Sequence, residues 1–211
     1  MENPPSFPSL GPRSFKIIVV LPAYNEQENI GGLLESIARA AADDFLNYKV
    51  VVVDDGSTDQ TAAILADFEK RVPLVVFRHV KNQGLGATIR NGLYAATKMA
   101  GPDDIIISMD ADETHSPGLM ASMVRKIKEG HDVVIASRYQ PGAQVVGLAL
   151  HRMWISSLAS ILFRAVFPTR GVRDYTCGFR APAARPCAPR WTATAKNSST
   201  SRDFSAWWTS C

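Results

Sequence analysis

The stretch MDADETHSP, residues 109–117, sets two carboxylates, Asp110 and Asp112, one residue apart directly after the apolar run DDIIIS (103–108). Successive side chains on an extended chain point to opposite faces, so the two aspartates share a face while Ala111 turns away. Like charges that close repel, which leaves two readings: a solvated acidic loop, or a pair that holds something positive. Carboxylates at alternate positions suit a hard divalent ion, Mg2+ or Mn2+, which takes one or two protein carboxylates together with substrate phosphate oxygens. Such an ion neutralises the charge of a departing pyrophosphate. The position at the end of an apolar strand favours this second reading, and His115 reads as a loop residue. Downstream, SRY (137–139) and HRMW (151–154) supply Arg138 and Arg152, whose guanidinium groups suit phosphate recognition.

Three other polar clusters offer chemistry of their own. In PAYNE (22–26), Tyr24 could lie against a planar base or ribose and Glu26 on a sugar hydroxyl, although a proline turn ahead of a helix reads equally well. VVVDDGSTD (51–59) is good turn and helix-cap chemistry. Adjacent Asp54 and Asp55 point opposite ways, so at most one faces a ligand and the other holds the loop. KNQGLGATIRNG (81–92) departs from a dinucleotide fingerprint because Ile89 stands at the third glycine position. A tight turn with close backbone packing into a helix accounts better for Gly84 and Gly86. Lys81 and Arg90 read as ligand-facing or as ordinary solvated cations.

The elements that position these clusters follow from periodicity. KIIVVL (16–21), KVVVVDD (49–55), PLVVFRHV (73–80), DDIIIS (103–108) and DVVIAS (132–137) predict five strands. Helical spacing predicts helices near 26–42, around Ile64, Leu65 and Phe68, and near 85–99. Ser57 or Thr58 is the expected cap of the second helix, and Ser116 with Pro117 opens a fourth. Strands apolar on both faces that alternate with helices imply a mostly parallel sheet covered by helices. Ligands of such sheets bind beyond the carboxyl ends of the strands. All five strand ends carry polar residues, which points to one shared site.

The bulk properties agree with a globular domain. The chain has 211 residues, 46% of them apolar and 20% charged, and its net charge of +3 gives no case for nucleic acid. Cys177, Cys187 and Cys211 lack metal-ligand spacing and form no disulfide framework, which implies a reducing, cytosolic setting. Residues 1–14 read as a flexible, Pro- and Ser-rich lead. No apolar run reaches the roughly 20 residues that span a bilayer.

In order along the chain, PAYNE, VVVDDGSTD, KNQGLGATIRNG, MDADETHSP, SRY and RDYTCGFR (173–180) resemble the family 2, GT-A fold glycosyltransferases, specifically the dolichol-phosphate mannosyltransferase-like group. The resemblance covers about residues 16–180. It implies an α/β fold with a Rossmann-like, mostly parallel sheet and helices on both faces. It also implies a nucleotide-diphospho-sugar donor (GDP-mannose or a UDP-sugar), a divalent cation, a polyprenyl phosphate acceptor and inversion at the anomeric carbon. By position, Pro22, Tyr24, Glu26, Val53 and Asp55 would contact the nucleoside, with Lys81 and Ala111 also in the nucleotide-sugar site. Asp110 and Asp112 would hold metal and diphosphate, and Arg138 and Arg152 would face donor or acceptor phosphate. Some relatives place a glutamine two residues after the second aspartate. Here that position is Thr114, whose hydroxyl or a water would have to substitute, and the ligand count stays open.

An acceptor phosphate monoester is already largely ionised near neutral pH, its second pKa being about 6, so no general base is nominated. HRMWISSLASILFRAVF (151–167) is either a core helix or an interfacial one that brings the lipid phosphate to the site, with arginines near headgroups. The second option puts the chain peripherally at the cytoplasmic face of a membrane.

The segment from 181 to 211 changes character, with scattered Pro, Ser and Thr and with Trp191, Trp207 and Trp208 in no period. A reading frame shifted by one nucleotide permits D-G-Y-G-E-E-F-I-D-E-S-G-F-Q-C-M-V-D-I-L from the end of the Trp191 codon, similar to the segment the family would carry there. Degeneracy allows most of those codons, while Trp207-Trp208-Thr209 forces the V-D. The expectation is a frameshift near residue 181 and a tail that is not functional sequence.

Overall fold

The computed structural model describes residues 15–112, 115–137, 174 and 177–182. Its elements run β1 (Ile17–Ala23), α1 (Ile30–Asp43), β2 (Tyr48–Asp54), α2 (Thr61–Phe68), β3 (Leu74–Arg78), α3 (Leu85–Met99), β4 (Ile105–Ser108), a single 3-10 turn (Pro117–Leu119), α4 (Met120–Lys128), β5 (Val133–Ile135) and β6 (Arg180–Pro182). The six strands form one sheet in the order β3-β2-β1-β4-β6-β5. β1 pairs in parallel with β2 and β4, and β2 with β3, whereas β6 runs antiparallel to both β4 and β5.

The β-branched runs form the central strands because both of their faces are covered. Every residue of β1 is buried, and its side chains divide by alternation. Ile17, Val19 and Leu21 join Ile30, Leu33, Leu34 and Ile37 of α1 and Met120, Met123 and Val124 at α4. Ile18 and Val20 join Leu93 and Ala96 of α3 on the opposite face. Each such aliphatic side chain removed from water contributes about 1.5–3 kcal/mol, so this two-sided burial dominates the domain's stability.

α3 approaches the sheet at Gly92. A Cβ there would come 2.6 Å from Val20 and 3.2 Å from Val53, whereas Gly86 sits on the exposed side of the helix's first turn. The close packing expected at Gly84 and Gly86 therefore belongs to Gly92. Gly84 serves a different need, with φ 88° and ψ 157° as the chain enters α3, a conformation open essentially to glycine alone.

One further expectation is corrected, and one element is added. The second helix has no side-chain cap from Ser57 or Thr58; Asp59 Oδ1 instead accepts the Thr61 amide at 2.9 Å. β6 was not foreseen, and it takes up Ala181 and Pro182, the first two residues assigned to the aberrant tail.

Candidate active site

The strand order changes direction at β1, with β2 on one side and β4 on the other, and in sheets of this kind the ligand crevice lies at that point, beyond the carboxyl ends of β1 and β4. The loops after β1, β2 and β3 are tied to each other almost entirely by side chains. Asn25 takes a left-handed conformation (φ 55°), which asparagine tolerates better than most residues. Its amide donates to Ser57 Oγ (3.0 Å), and its Oδ1 accepts the Thr58 amide (2.9 Å). The Glu26 amide donates to Thr61 Oγ1 (2.9 Å), the Gln27 amide to Asp59 Oδ2 (3.2 Å), and Gln27 Oε1 accepts the Gln60 amide (3.0 Å). This lacing leaves Tyr24 46% exposed at the mouth of the crevice. Glu26 is half-buried, and its Oε2 accepts from Asn29 Nδ2 at 2.9 Å.

Both aspartates of the Asp-Asp pair hold loops, within the expectation that at most one of them faces a ligand. Asp54, fully buried, accepts the Ser57 amide at 2.9 Å and has Arg78 Nε 3.1 Å from its Oδ2. Asp55 is 3% exposed. Its Oδ1 takes the Gln83 amide (2.8 Å) and lies 2.6 Å from His79 Nδ1, while Oδ2 takes the Gly84 amide (2.8 Å). Burial pushes the Asp55 carboxyl up, but hydrogen bonds from His79, Gln83, Gly84 and Thr88 together hold it below its ordinary value. Its geometric role is to position the loop. Pro22 and Val53 lie inside the sheet, and Val53 packs under Gly92, so neither presents its side chain to the crevice. Lys81 is exposed on the loop after β3, and Arg90 is half-buried on α3.

Past β4 the burial alternates as expected even though the strand has ended. Met109 and Ala111 are buried, Asp110 is partly exposed and Asp112 is exposed. The two carboxylates therefore turn outward beside the crevice while Ala111 joins the core. β6 closes over this end. Ser108 Oγ donates to the Gly178 carbonyl (2.9 Å), and Gly178 packs against the Asp110 carboxylate so tightly that a Cβ would overlap it. His115 Nε2 lies 3.4 Å from Asp110 Oδ2, and its ring tilts against Phe179 with centroids 5.3 Å apart.

Sequence reasoning quoted Arg180 without giving it a role. It is buried, donates to the carbonyls of Cys177 (2.7 Å) and Asp174 (3.3 Å), and brings positive charge behind Asp110. Burial lowers its guanidinium to about 10, and Cys177, Asp174 and Asp110 offset only part of that, so it stays cationic at neutral pH. The signal for this arrangement was the glycine immediately before Phe179 and Arg180.

Among the described residues no three His, Cys, Asp or Glu side chains gather as a metal cluster. Two outward carboxylates nevertheless supply the hard oxygens that a divalent ion shares with phosphate. Thr114, Arg138 and Arg152 lie outside the described residues, as do the 1–14 lead, the 151–167 segment and the tail beyond 182. No helix among the described residues is long and apolar enough to cross a membrane.

The sheet is mostly parallel, with a D-x-D pair just past the end of β4, and the family model for glycosyl transferase family 2 matches residues 18–185. The chain belongs to that family. Among curated proteins it is 35% identical over 167 residues to the dolichol-phosphate mannosyltransferase of Pyrococcus furiosus, covering 79% of this chain and 46% of that one. It is 29% identical over 168 residues to the polyprenol monophosphomannose synthase of Mycolicibacterium smegmatis, covering 79% and 61%. The chain thus spans about half the length of the curated relatives it matches. Among solved structures it is similar to glucosyl-3-phosphoglycerate synthase of Mycobacterium tuberculosis, in complex with Mn2+, UDP and glucosyl-3-phosphoglycerate (TM-score 0.58, 24% identity, 81% of this chain and 57% of that one). It is equally similar to mannosyl-3-phosphoglycerate synthase of Rubrobacter xylanophilus (TM-score 0.58, 21% identity, 81% and 54%). At such identities the likeness speaks for the fold, which is the GT-A arrangement the sequence implied.

Proposed function

We propose that this chain carries the catalytic domain of an inverting glycosyltransferase that moves a sugar, mannose in the first instance, from a nucleotide-diphospho-sugar to a polyprenyl phosphate at a membrane surface. The observation that carries this reading is the outward pair Asp110 and Asp112 beside the β1–β4 crevice, with Tyr24 exposed at the mouth. The 35% identity to a dolichol-phosphate mannosyltransferase supports the choice of donor and acceptor.

Asp110 and Asp112 would hold a divalent ion, Mg2+ or Mn2+, which supplies charge neutralisation for the leaving diphosphate. Tyr24 offers its ring to the nucleoside, Glu26 a carboxylate oxygen to a sugar hydroxyl, and Lys81 a cation to phosphate. Pro22, Val53, Asp55 and Ala111 shape the walls rather than presenting side chains. Arg138 and Arg152 are proposed for the donor or acceptor phosphate. An acceptor phosphate oxygen forms the new bond to the anomeric carbon as the bond from that carbon to the diphosphate breaks and its electron pair leaves with the nucleoside diphosphate. The acceptor is already ionised, so the chain's residues contribute alignment and electrostatics rather than proton removal. In the same reading, residues 181–211 come from a frameshift near residue 181, and the frame-restored chain is the one to assay for transfer.

A donor panel of GDP-mannose, UDP-glucose and UDP-N-acetylglucosamine, each with Mn2+ and a short polyprenyl phosphate, tests the proposal. Transfer from GDP-mannose is expected, and Asp110→Asn with Asp112→Asn should weaken Mn2+-dependent donor binding by more than about tenfold. Unchanged donor binding in that pair of variants would remove the metal-site argument. Metal-dependent donor binding without transfer by the chain as it stands would mark a binding fragment instead.

A further inference from the structure

Between β3 and α3 lies a chain of linked polar groups, buried at Asp55 and partly buried at His79 and Asn91, to which the proposed chemistry gives no reacting role. Asn91, on the second turn of α3, places its side-chain amide 2.9 Å from His79 Nε2. His79, the first residue after β3, places Nδ1 2.6 Å from Asp55 Oδ1. Asp55, the first residue after β2, accepts the Gln83 and Gly84 amides at 2.8 Å each, and these lead back into α3. The circuit is closed: helix, strand end, strand end, helix start.

Its protonation pattern is self-consistent. An ionised carboxylate only accepts, so Nδ1 must carry the proton, and Nε2 is then free to accept from the Asn91 amide. The neutral imidazole satisfies both neighbours at once. The His79 backbone is anchored as well, its amide donating to the Asp54 carbonyl at 2.9 Å. The segment this circuit spans, residues 79–84, carries exposed Lys81, and the backbone of Lys81 and Asn82 lies directly over Gly56. Losing the imidazole would leave a buried carboxylate with one donor fewer, and its hold on Gln83 and Gly84 would loosen.

We infer that His79, oriented by Asn91, is a positioning residue for nucleotide binding: through Asp55 it sets the loop 79–84 and Lys81 against the crevice. This rests on the reading of the crevice as the donor site. His79 touches no reacting atom. Apolar residues would fill the same space without the cost of burying a charge, so the circuit is suited to fixing loop geometry rather than to adding stability.

The test uses the full chain with His79→Leu, which removes both hydrogen bonds, and His79→Asn, whose side-chain amide keeps a donor where Nδ1 stood. Binding of GDP and of UDP is titrated with Mn2+ present, and amide hydrogen exchange is followed at Gln83 and Gly84. In His79→Leu, nucleotide affinity is expected to fall about tenfold or more, with both amides exchanging faster. His79→Asn should stay within about threefold of the parent, and affinity for Mn2+ alone should not move in either variant. That rescue separates positioning from a general loss of packing. A folded His79→Leu with parental nucleotide affinity would overturn the inference. If the parent binds neither nucleotide, the functional reading fails, and unchanged exchange at Gln83 and Gly84 in His79→Leu would then overturn the clamp on its own. Should His79→Leu not fold, Asn91→Ala carries the same readouts, with faster exchange expected and unchanged exchange overturning the inference.

Discussion

The two sides of the crevice are built by different means. Around the ends of β1, β2 and β3, several polar side chains are spent on a neighbouring loop: Asn25 on Thr58, Asp59 on Gln27, Asp55 on Gln83 and Gly84. At the end of β4, the polar side chains that matter turn outward, and the support comes from behind through Gly178 and Phe179, which lead into the short antiparallel β6, and through Arg180, its first residue. In the proposed reading, the first side is a preset shape for a flat nucleoside, and the second is a concentrated charge whose complement would come with ligand and ion. Shape needs many satisfied hydrogen bonds, whereas a metal-and-phosphate centre needs oxygens facing solvent and a buried cation to make their proximity tolerable.

Substitutions that disturb one side while sparing the other test this division. The largest effect is expected from Gly178→Ala, because a Cβ there overlaps the Asp110 carboxylate. Affinity for Mn2+ measured calorimetrically should fall about 10- to 100-fold, the range typical of residues that orient metal ligands, while exchange at Gln83 and Gly84 stays as in the parent. Parental Mn2+ affinity in that variant would mean that Gly178 does not set the carboxylate.

Asp55→Asn attacks the other side and carries a pH signature. The folded carboxyl ionises below its ordinary value of 3.8, so its stabilisation is fully present above that pH and is lost as pH falls through the lower folded value. Urea midpoints are expected to fall more steeply with acidification below about pH 4 in the parent than in Asp55→Asn. At neutral pH the variant should be less stable by about 1–3 kcal/mol. Parallel curves would show that the carboxylate does not carry the loop.

A smaller change should come from Asn25. Asn25→Gly keeps access to the left-handed conformation but loses the acceptor for Thr58, and should cost about 1 kcal/mol with a several-fold loss of nucleotide affinity. Asn25→Ala should cost more, since alanine also resists φ 55°. Equal stability of the two variants would remove the conformational part of the explanation, and a shift in Mn2+ affinity in either would argue against the division itself.

Much of this was legible in the sequence. The strands and helices were read closely because fully buried β-branched runs and the α1 stripe of Ile30, Leu33, Leu34 and Ile37 leave little choice of period. The outward turn of Asp110 and Asp112 followed from alternation, and it holds although β4 ends at Ser108. The orientation of carboxylates in loops was not legible. Whether Asp55 faces a ligand or two amides depends on a segment 28 and 29 residues away, and local turn chemistry looks the same in both cases. β6 escaped because three residues ending in proline carry no strand period, and Arg180 reads as a surface cation until the sheet closes around it. Asn25 and His79 stood within quoted motifs, but only their partners across the fold give them a role.

The contact between Ser108 and Gly178 joins residues 70 positions apart. During synthesis at roughly 5–20 residues per second, about 4–14 seconds separate the appearance of β4 from that of its antiparallel neighbour. In that interval β3, β2, β1 and β4 can already pair, so the laced side of the crevice is free to form while the carboxylate pair still lacks its backing. A nascent chain held at this stage would have the laced loops in place before the carboxylates gain their backing. Order of assembly, as well as geometry, sets the two halves of the crevice apart.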